Sequence, residues 1–269
     1  MALEAGLYSQ EELTDHLRML GIREGEILLV QASARAVGAV RERSRTVVAA
    51  LRQALGPRGT LVAYTATPEN STTSLLHRLA TRALGPAELH DFRAAMLPHD
   101  PATTPASPTM GRIAEEIRLQ PGSVRSAHPQ TSFSAVGPRA EELMSDHALD
   151  CHLGDRSPVR RLYDEGARVL LVSVPWSCCT VFHLAEYWQP DPPMQSYATV
   201  VKDDRGARQW VGFRAPSLET GHFERMAADI TAESPDLTAT GRLGDAACVL
   251  MPIAESVDMA AKWLLNQPR

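Results

Sequence analysis

The sequence is short of cysteine, of net charge and of long apolar runs, and each shortage removes a class of protein. Its four cysteines, Cys151, Cys178, Cys179 and Cys248, form no Cys-x-x-Cys pair and two are adjacent, which is poor spacing for a disulfide framework. A reducing, cytoplasmic setting fits that usage better than an oxidising one. No stretch of 18 apolar residues occurs, so no membrane span is expected. The first ten residues carry Glu4 and no basic group ahead of an apolar run, which argues against a secretory signal. Subtracting 32 Asp and Glu from 27 Lys and Arg leaves −5, the wrong sign for a nucleic-acid partner, and none is expected. Neither a Gly-x-Gly-x-x-Gly nor a P-loop pattern is found, so the dinucleotide and P-loop nucleotide readings lose their main support.

What remains is an ordinary globular composition, 44% hydrophobic and 22% charged over 269 residues, in an α/β order. Ser9 and Glu12 read as a capping box, and Leu13, Leu17 and Leu20 recur at helical spacing up to Gly21. Ile27–Val30 reads as a buried strand, Val47–Leu55 as an amphipathic helix stopped by Gly56-Pro57, and Thr60–Tyr64 as a second buried strand. From Thr65 to Pro108 a high proline density predicts a long loop, relieved by one helix over Ser74–Leu84. Beyond it we expect a helix over Met110–Arg118, a strand at Phe133–Val136, a helix from Pro138 to Met144 and the clearest buried strand at Val169–Val174. A helix over Thr180–Trp188 follows, then a hairpin flanking Asp203-Asp204-Arg205-Gly206, a helix over Leu218–Ile230, a strand near Ala247–Met251 and a closing helix, Ala254–Leu265. These elements predict one domain, residues 1–269, with helices flanking a central sheet that the hairpin makes mixed.

The turn after a strand's carboxyl end is where α/β proteins bind ligands, which draws attention to the segment after Val174. His183 and Glu186 lie three apart, so on a helix they share a face, and the carboxylate can fix the imidazole tautomer for a general base. The same pair on an exposed helix is solvated surface, and spacing alone does not decide between the two. Cys178 and Cys179 precede that helix. They read as small space-filling residues, as an activated nucleophile, or, with His183, as metal ligands, though adjacent ligands match no usual zinc spacing. Arg125-Ser126-Ala127-His128-Pro129 reads as a polar loop, and Arg35, Arg41, Arg43 and Arg45 follow the first strand where anionic phosphates could be held. The other histidines are read as surface or structural; His222, beside Glu224, could approach a site, although nothing local requires it.

Five segments together resemble the aminoglycoside 3-N-acetyltransferase family. They are Val30–Gly38, Ala54–Val62, Asp100–Pro105 with Met110-Gly111, Arg125–Pro129, and His183-Leu184-Ala185-Glu186-Tyr187, in register from about residue 10 onward. The resemblance implies an acetyl-CoA-dependent N-acetyltransferase on that family's own α/β fold, acting on a primary amine of a small molecule, an aminoglycoside or a natural-product biosynthetic amine. It implies His183 as general base, Glu186 as its orienting carboxylate, Thr180 in the same pocket and His128 near it. Ser33, Ala34, Arg35, Thr104, Ser107, Met110 and Gly111 match the coenzyme segments, and no metal is expected. The chain carries Gln31-Ala32-Ser33 where members usually have His-Ser-Ser, and Pro175-Trp176-Ser177-Cys178-Cys179-Thr180 where they usually have Gly-His-Asp-Ser-Asn-Thr. The alternatives are an acyltransferase working through a cysteine acyl-enzyme and a non-catalytic small-molecule binder on the same fold.

Overall fold

Successive side chains of a strand point to opposite faces, and the apolar residues of the three innermost strands obey this alternation. Leu28, Val30, Leu61, Ala63, Leu170 and Val172 enter one core cluster, whereas Ile27, Leu29, Val62, Val169 and Leu171 enter the other. Both faces are therefore buried and both are covered by helices. The computed structural model describes residues 7–267, so the expectation of no secretory signal rests partly on residues outside the described ones.

In chain order the elements are α1 (Gln10–Met19), β1 (Ile27–Ala32), α2 (Ser44–Leu55), β2 (Thr60–Tyr64), α3 (Leu75–Thr81), α4 (Pro86–Ala95) and α5 (Gly111–Arg118). Then come β3 (Val124–Arg125), β4 (Phe133–Val136), α6 (Ala140–Met144), α7 (Pro158–Asp164), β5 (Arg168–Val172) and α8 (Phe182–Tyr187). The remainder is β6 (Met194–Lys202), β7 (Arg208–Pro216), α9 (Phe223–Glu233), β8 (Ala239–Leu243), β9 (Ala246–Pro252) and α10 (Ile253–Leu265). Seven strands form a sheet in the order β3-β4-β2-β1-β5-β9-β8. Its centre, β2-β1-β5, is parallel, with Leu29 opposite both Val62 and Val169. Helices α1, α2 and α5 pack on one face; α6 to α10 supply the other. No helix among the described residues is long and apolar enough to cross a membrane.

The sheet is mixed, but not because of the hairpin. Antiparallel character comes from β4, β9, β8 and β3, whereas β6 and β7 pair only with each other as a separate two-stranded ribbon. The edge of β6 is satisfied by loop groups: the Asn70 amide donates to Val200 O (3.0 Å) and accepts from Val200 N (3.1 Å), so one side chain imitates a neighbouring strand. The predicted long loop also holds a second helix, α4, with Pro86 in its first turn and Glu88 accepting from Gly85 N (2.8 Å). That helix buries no residue, so it leaves no apolar periodicity to read. The proline-dense stretch after it is irregular and held by Arg125, whose half-buried guanidinium donates to Thr104 O, Thr65 O and Ser132 Oγ.

Candidate active site

The strand after β1 lies on one side of it and β5 on the other, while α2 and α8 cover opposite faces. Such a reversal opens a crevice at the strands' carboxyl ends. A cavity of about 620 Å³ lies there, walled by Gln31–Arg35 after β1, by the start of α5, and by Val174, Ser177, Cys178, Thr180 and His183 after β5. The chain leaves β5 through Ser173, which is left-handed at φ 46° and anchored by its N–H to Ala247 O (2.8 Å). A non-glycine residue held there costs about 1–3 kcal/mol, which the neighbouring bonds offset, and the turn aims the next segment across the cavity.

His183 and Glu186 are both buried on α8, and the His183 Nδ1–H donates to Glu186 Oε2 at 2.5 Å. With Nδ1 occupied, the lone pair sits on Nε2, which makes no hydrogen bond among the described residues, and the residue lines the cavity. Thr180 precedes the helix rather than starting it. Its hydroxyl accepts from Gln31 Nε2 (3.2 Å) and its N–H donates to Gln31 Oε1 (3.3 Å), while the same amide also donates to Cys178 O. Gln31 thus ties the end of β1 to the segment entering α8, and the Thr180 proton stays free to donate.

The opposite wall is built to receive an anion or a carbonyl oxygen. Helix α5 starts with no side-chain cap; the Gly111 N–H donates to Pro108 O, while the residues that follow it, Arg112, Ile113 and Ala114, line the cavity with Gly111. Gly111 is at φ 85°, a left-handed conformation that a side chain would strain, although a Cβ there would meet Ala32 O only at an ordinary contact distance of 3.4 Å. Among the described residues the backbone N–H groups of Ala34 and Arg35 donate to no acceptor, whereas Ser33 N is taken by Val172 O (3.0 Å).

Of the residues predicted from the sequence, the cavity gathers Ser33, Ala34, Arg35, Met110, Gly111, Thr180 and His183, with Glu186 behind His183. Arg41, Arg43 and Arg45 are not among its lining residues. Thr104 and Ser107 line a different cavity of about 800 Å³, against α4 and Lys202. His128 is not in the wall either. It is 1% exposed, its Nδ1 accepts from Gln130 N and Thr131 N (both 3.1 Å), and its Nε2–H donates to Leu149 O (3.1 Å). Burial pushes that imidazole down to about 4. Cys179 is fully buried, with its thiol pushed up by desolvation; Cys178 is exposed, and its thiol is also raised, by burial and then by Glu224. Cys178 ends a short 3-10 turn, Trp176–Cys178, and Cys179 caps it; the Val181 and Phe182 N–H groups at the start of α8 pull the Cys179 thiol down, but burial outweighs them and the thiol stays raised. Among the described residues no three His, Cys, Asp or Glu side chains are grouped to hold a metal.

Apart from Met110, the structure adds residues that no local pattern announced. Tyr64, Met110 and Leu218 are shared between the cavity and a second pocket of about 420 Å³, whose other walls come from α3, β6 and the segment after β7. Its charged lining side chains are Arg78 and Glu219. His222, at the start of α9, brings Nε2 to 3.3 Å from Glu186 Oε1, the carboxylate oxygen that His183 leaves free. Its separation from the pair by 36 positions hides this from sequence spacing.

A family model described as aminoglycoside 3-N-acetyltransferase matches residues 29–265. The chain is 37% identical over 182 residues to an aminoglycoside N(3)-acetyltransferase III from Salmonella sp, a match that spans 67% of this chain and only 60% of that relative's length. It is 33% identical over 270 residues to aminoglycoside N(3)-acetyltransferase VIII from Streptomyces fradiae, covering 96% of this chain and 92% of the relative. Among solved structures, the YokD protein from Bacillus subtilis superposes with a TM-score of 0.90 at 27% identity, over 98% of this chain and 95% of the other. AAC-VIa bound to sisomicin gives 0.83 at 29% identity, covering 96% and 98%. AAC-IIIb with CoASH gives 0.82 at 26%, covering 96% and 97%.

Proposed function

The chain belongs to the aminoglycoside 3-N-acetyltransferase family, and from that premise we propose that it transfers an acetyl group from acetyl-CoA to a primary amine of a small molecule, with His183 as general base. The observation that carries this reading is the buried His183–Glu186 pair facing the switch-point cavity with its Nε2 unclaimed. A relative solved with CoASH and another solved with sisomicin support the two substrate classes.

The residues present fit the coenzyme. The glycine cradle at Gly111, the uncapped start of α5 and the Arg35 and Arg112 side chains suit a phosphorylated, pantetheine-bearing molecule, with Ser33, Ala34 and Met110 alongside. When bound it supplies a thioester carbonyl. An attacking ammonium must first lose a proton, and His183 Nε2 is the acceptor for it; Glu186 holds the tautomer and stabilises the imidazolium that results. The free N–H groups of Ala34 and Arg35 and the Thr180 hydroxyl are donors for the carbonyl oxygen as it gains charge. The smaller pocket adjoining at Tyr64, Met110 and Leu218 receives the amine-bearing molecule. With Glu219 the one carboxylate among its lining residues, we infer an acceptor less cationic than a typical aminoglycoside as readily as an aminoglycoside itself. Thr104, Ser107 and His128 enter this reading as supports of the surrounding loops.

His183→Ala tests the assignment: transfer should fall by about a hundredfold or more, while CoASH binding by calorimetry is retained. Near-normal turnover would remove His183 from the reaction. The raised thiols give the cysteine acyl-enzyme no support. Intact-mass measurement after rapid quench with acetyl-CoA alone should show no acetylated protein, and an added acetyl group would revive that alternative. Release of CoASH with sisomicin and with a panel of primary amines separates an enzyme from a binding protein on the same fold.

A further inference from the structure

A histidine outside the pair has a nitrogen that the fold leaves unexplained. His222 Nε2 is buried and makes no well-aligned hydrogen bond, yet it lies 3.3 Å from Glu186 Oε1. Buried polar atoms without partners are rare and call for a reason. The ring is held firmly: it stacks on Trp263 of α10 (6.1 Å between centroids, 11° between planes) and meets Phe223 edge-on at 4.9 Å. Phe223 also packs on the His183 ring at 4.9 Å, so one phenyl separates the two imidazoles while Glu186 bridges them. Resting on the reading of His183 as the base, we propose that His222 is a positioning residue, whose Nε2–H holds Glu186 Oε1 while His183 holds Oε2, fixing the carboxylate in the plane that orients the base.

The chemistry favours this over simple packing. A carboxylate anchored at one oxygen swings about its terminal bonds, and the His183 ring swings with it; a donor on the second oxygen removes that freedom. Catalytic hydrogen bonds are often long or misaligned without substrate and tighten in the complex, which accounts for the 3.3 Å distance. The segment before His222 is well placed to cause such tightening, because Leu218 lines both cavities and Thr220 lines the one holding His183. The groups facing the His222 ring are Glu186 and His183 of α8 and Glu219 of its own loop, while α10 presents the neutral Trp263. Burial lowers the His222 pKa, which keeps the ring a neutral donor.

The donor draws negative charge toward Oε1, so its removal returns charge to Oε2 and strengthens the hold on a protonated His183 ring. In His222→Phe, which keeps the aromatic stack, the pH midpoint of the His183 ring resonances, assigned against His183→Ala, should rise by about half a unit. With sisomicin or an accepted amine as probe, kcat should fall roughly tenfold, the KM for acetyl-CoA should hold, and the acid limb of the rate profile should move up with the ring midpoint. His222→Gln, which restores an N–H, should bring both back toward the unaltered protein. A midpoint in His222→Phe equal to that of the unaltered protein overturns the proposal, whatever happens to stability. The unaltered protein provides a check that needs no variant: nitrogen-detected spectra should show His222 protonated at Nε2, and protonation at Nδ1 alone overturns it. These ring measurements need no turnover, so they stay distinct from failure of the acetyl-transfer reading, which is signalled by an active His183→Ala.

Discussion

Glu186 can orient His183 because residues three apart on a helix project to one side, and because α8 is buried against α10 and α9 rather than bathed in water. Low local polarity strengthens the contact and also makes it costly to spoil. Glu186→Gln keeps the volume but replaces a charged acceptor, so transfer should drop by about a hundredfold or more, with thermal stability changed far less; a rate close to that of the unaltered enzyme would leave the carboxylate a structural role only. Gln31 offers a second test at this scale. Its amide meets the backbone and hydroxyl of Thr180 and the carbonyl of Cys178, so Gln31→Leu should cost about 1–3 kcal/mol in denaturant unfolding and slow transfer through a displaced Thr180. Unchanged stability would contradict the bridging role. The His183–Glu186 spacing was legible in the sequence because the two lie on one turn of one helix. Gln31 and His222 were not, because their partners lie 149 and 36 positions away.

Among the elements, α5 shows how backbone alone shapes the cavity. Its first residue, Gly111, is at φ 85°, so Gly111→Ala brings backbone strain at the cavity wall, the added methyl itself meeting Ala32 O at ordinary contact distance. Affinity for CoASH by calorimetry should weaken by about tenfold, or 1.4 kcal/mol, while the fold survives; unchanged affinity would place the coenzyme elsewhere. Strands β2 and β4 could be read from the sequence at their observed bounds because continuous apolar runs between turn residues signal burial on both faces. Helix α4 and strand β8 could not. The first buries nothing, and the second, Ala239–Leu243, is exposed along most of its length, so neither leaves an apolar pattern. The hairpin was legible from its Asp-Asp-Arg-Gly turn, but its independence from the main sheet depends on Asn70, a loop side chain that no strand pattern could reveal.

At the level of the whole molecule, buried neutral imidazoles link stability to acidity. The His147 and His152 rings each lie 4.7 Å from that of His128, tilted against it, and all three are held below the usual histidine range chiefly by burial. The unfolded chain takes up protons below about pH 6.5, whereas the folded chain resists until about 4 at His128, so stability is complete above 6.5 and falls as pH drops through that window. Each such group contributes about 1.4 kcal/mol of loss per pH unit there. The melting temperature should decline steadily from pH 6.5 to 4; a flat profile would show that these rings are already charged in the fold. The division of the pockets has a wider consequence. The cavity holding His183 and Gly111 grows from the central sheet, but the smaller adjoining pocket, where the proposed reading seats the amine, takes Leu75 and Arg78 from α3 and Gln195 and Tyr197 from the detached ribbon. On the proposed reading, exchange of those appendages between descendants of a common ancestor would alter which amine is taken and leave the transfer chemistry intact, so one scaffold could drift across many amines without relearning it.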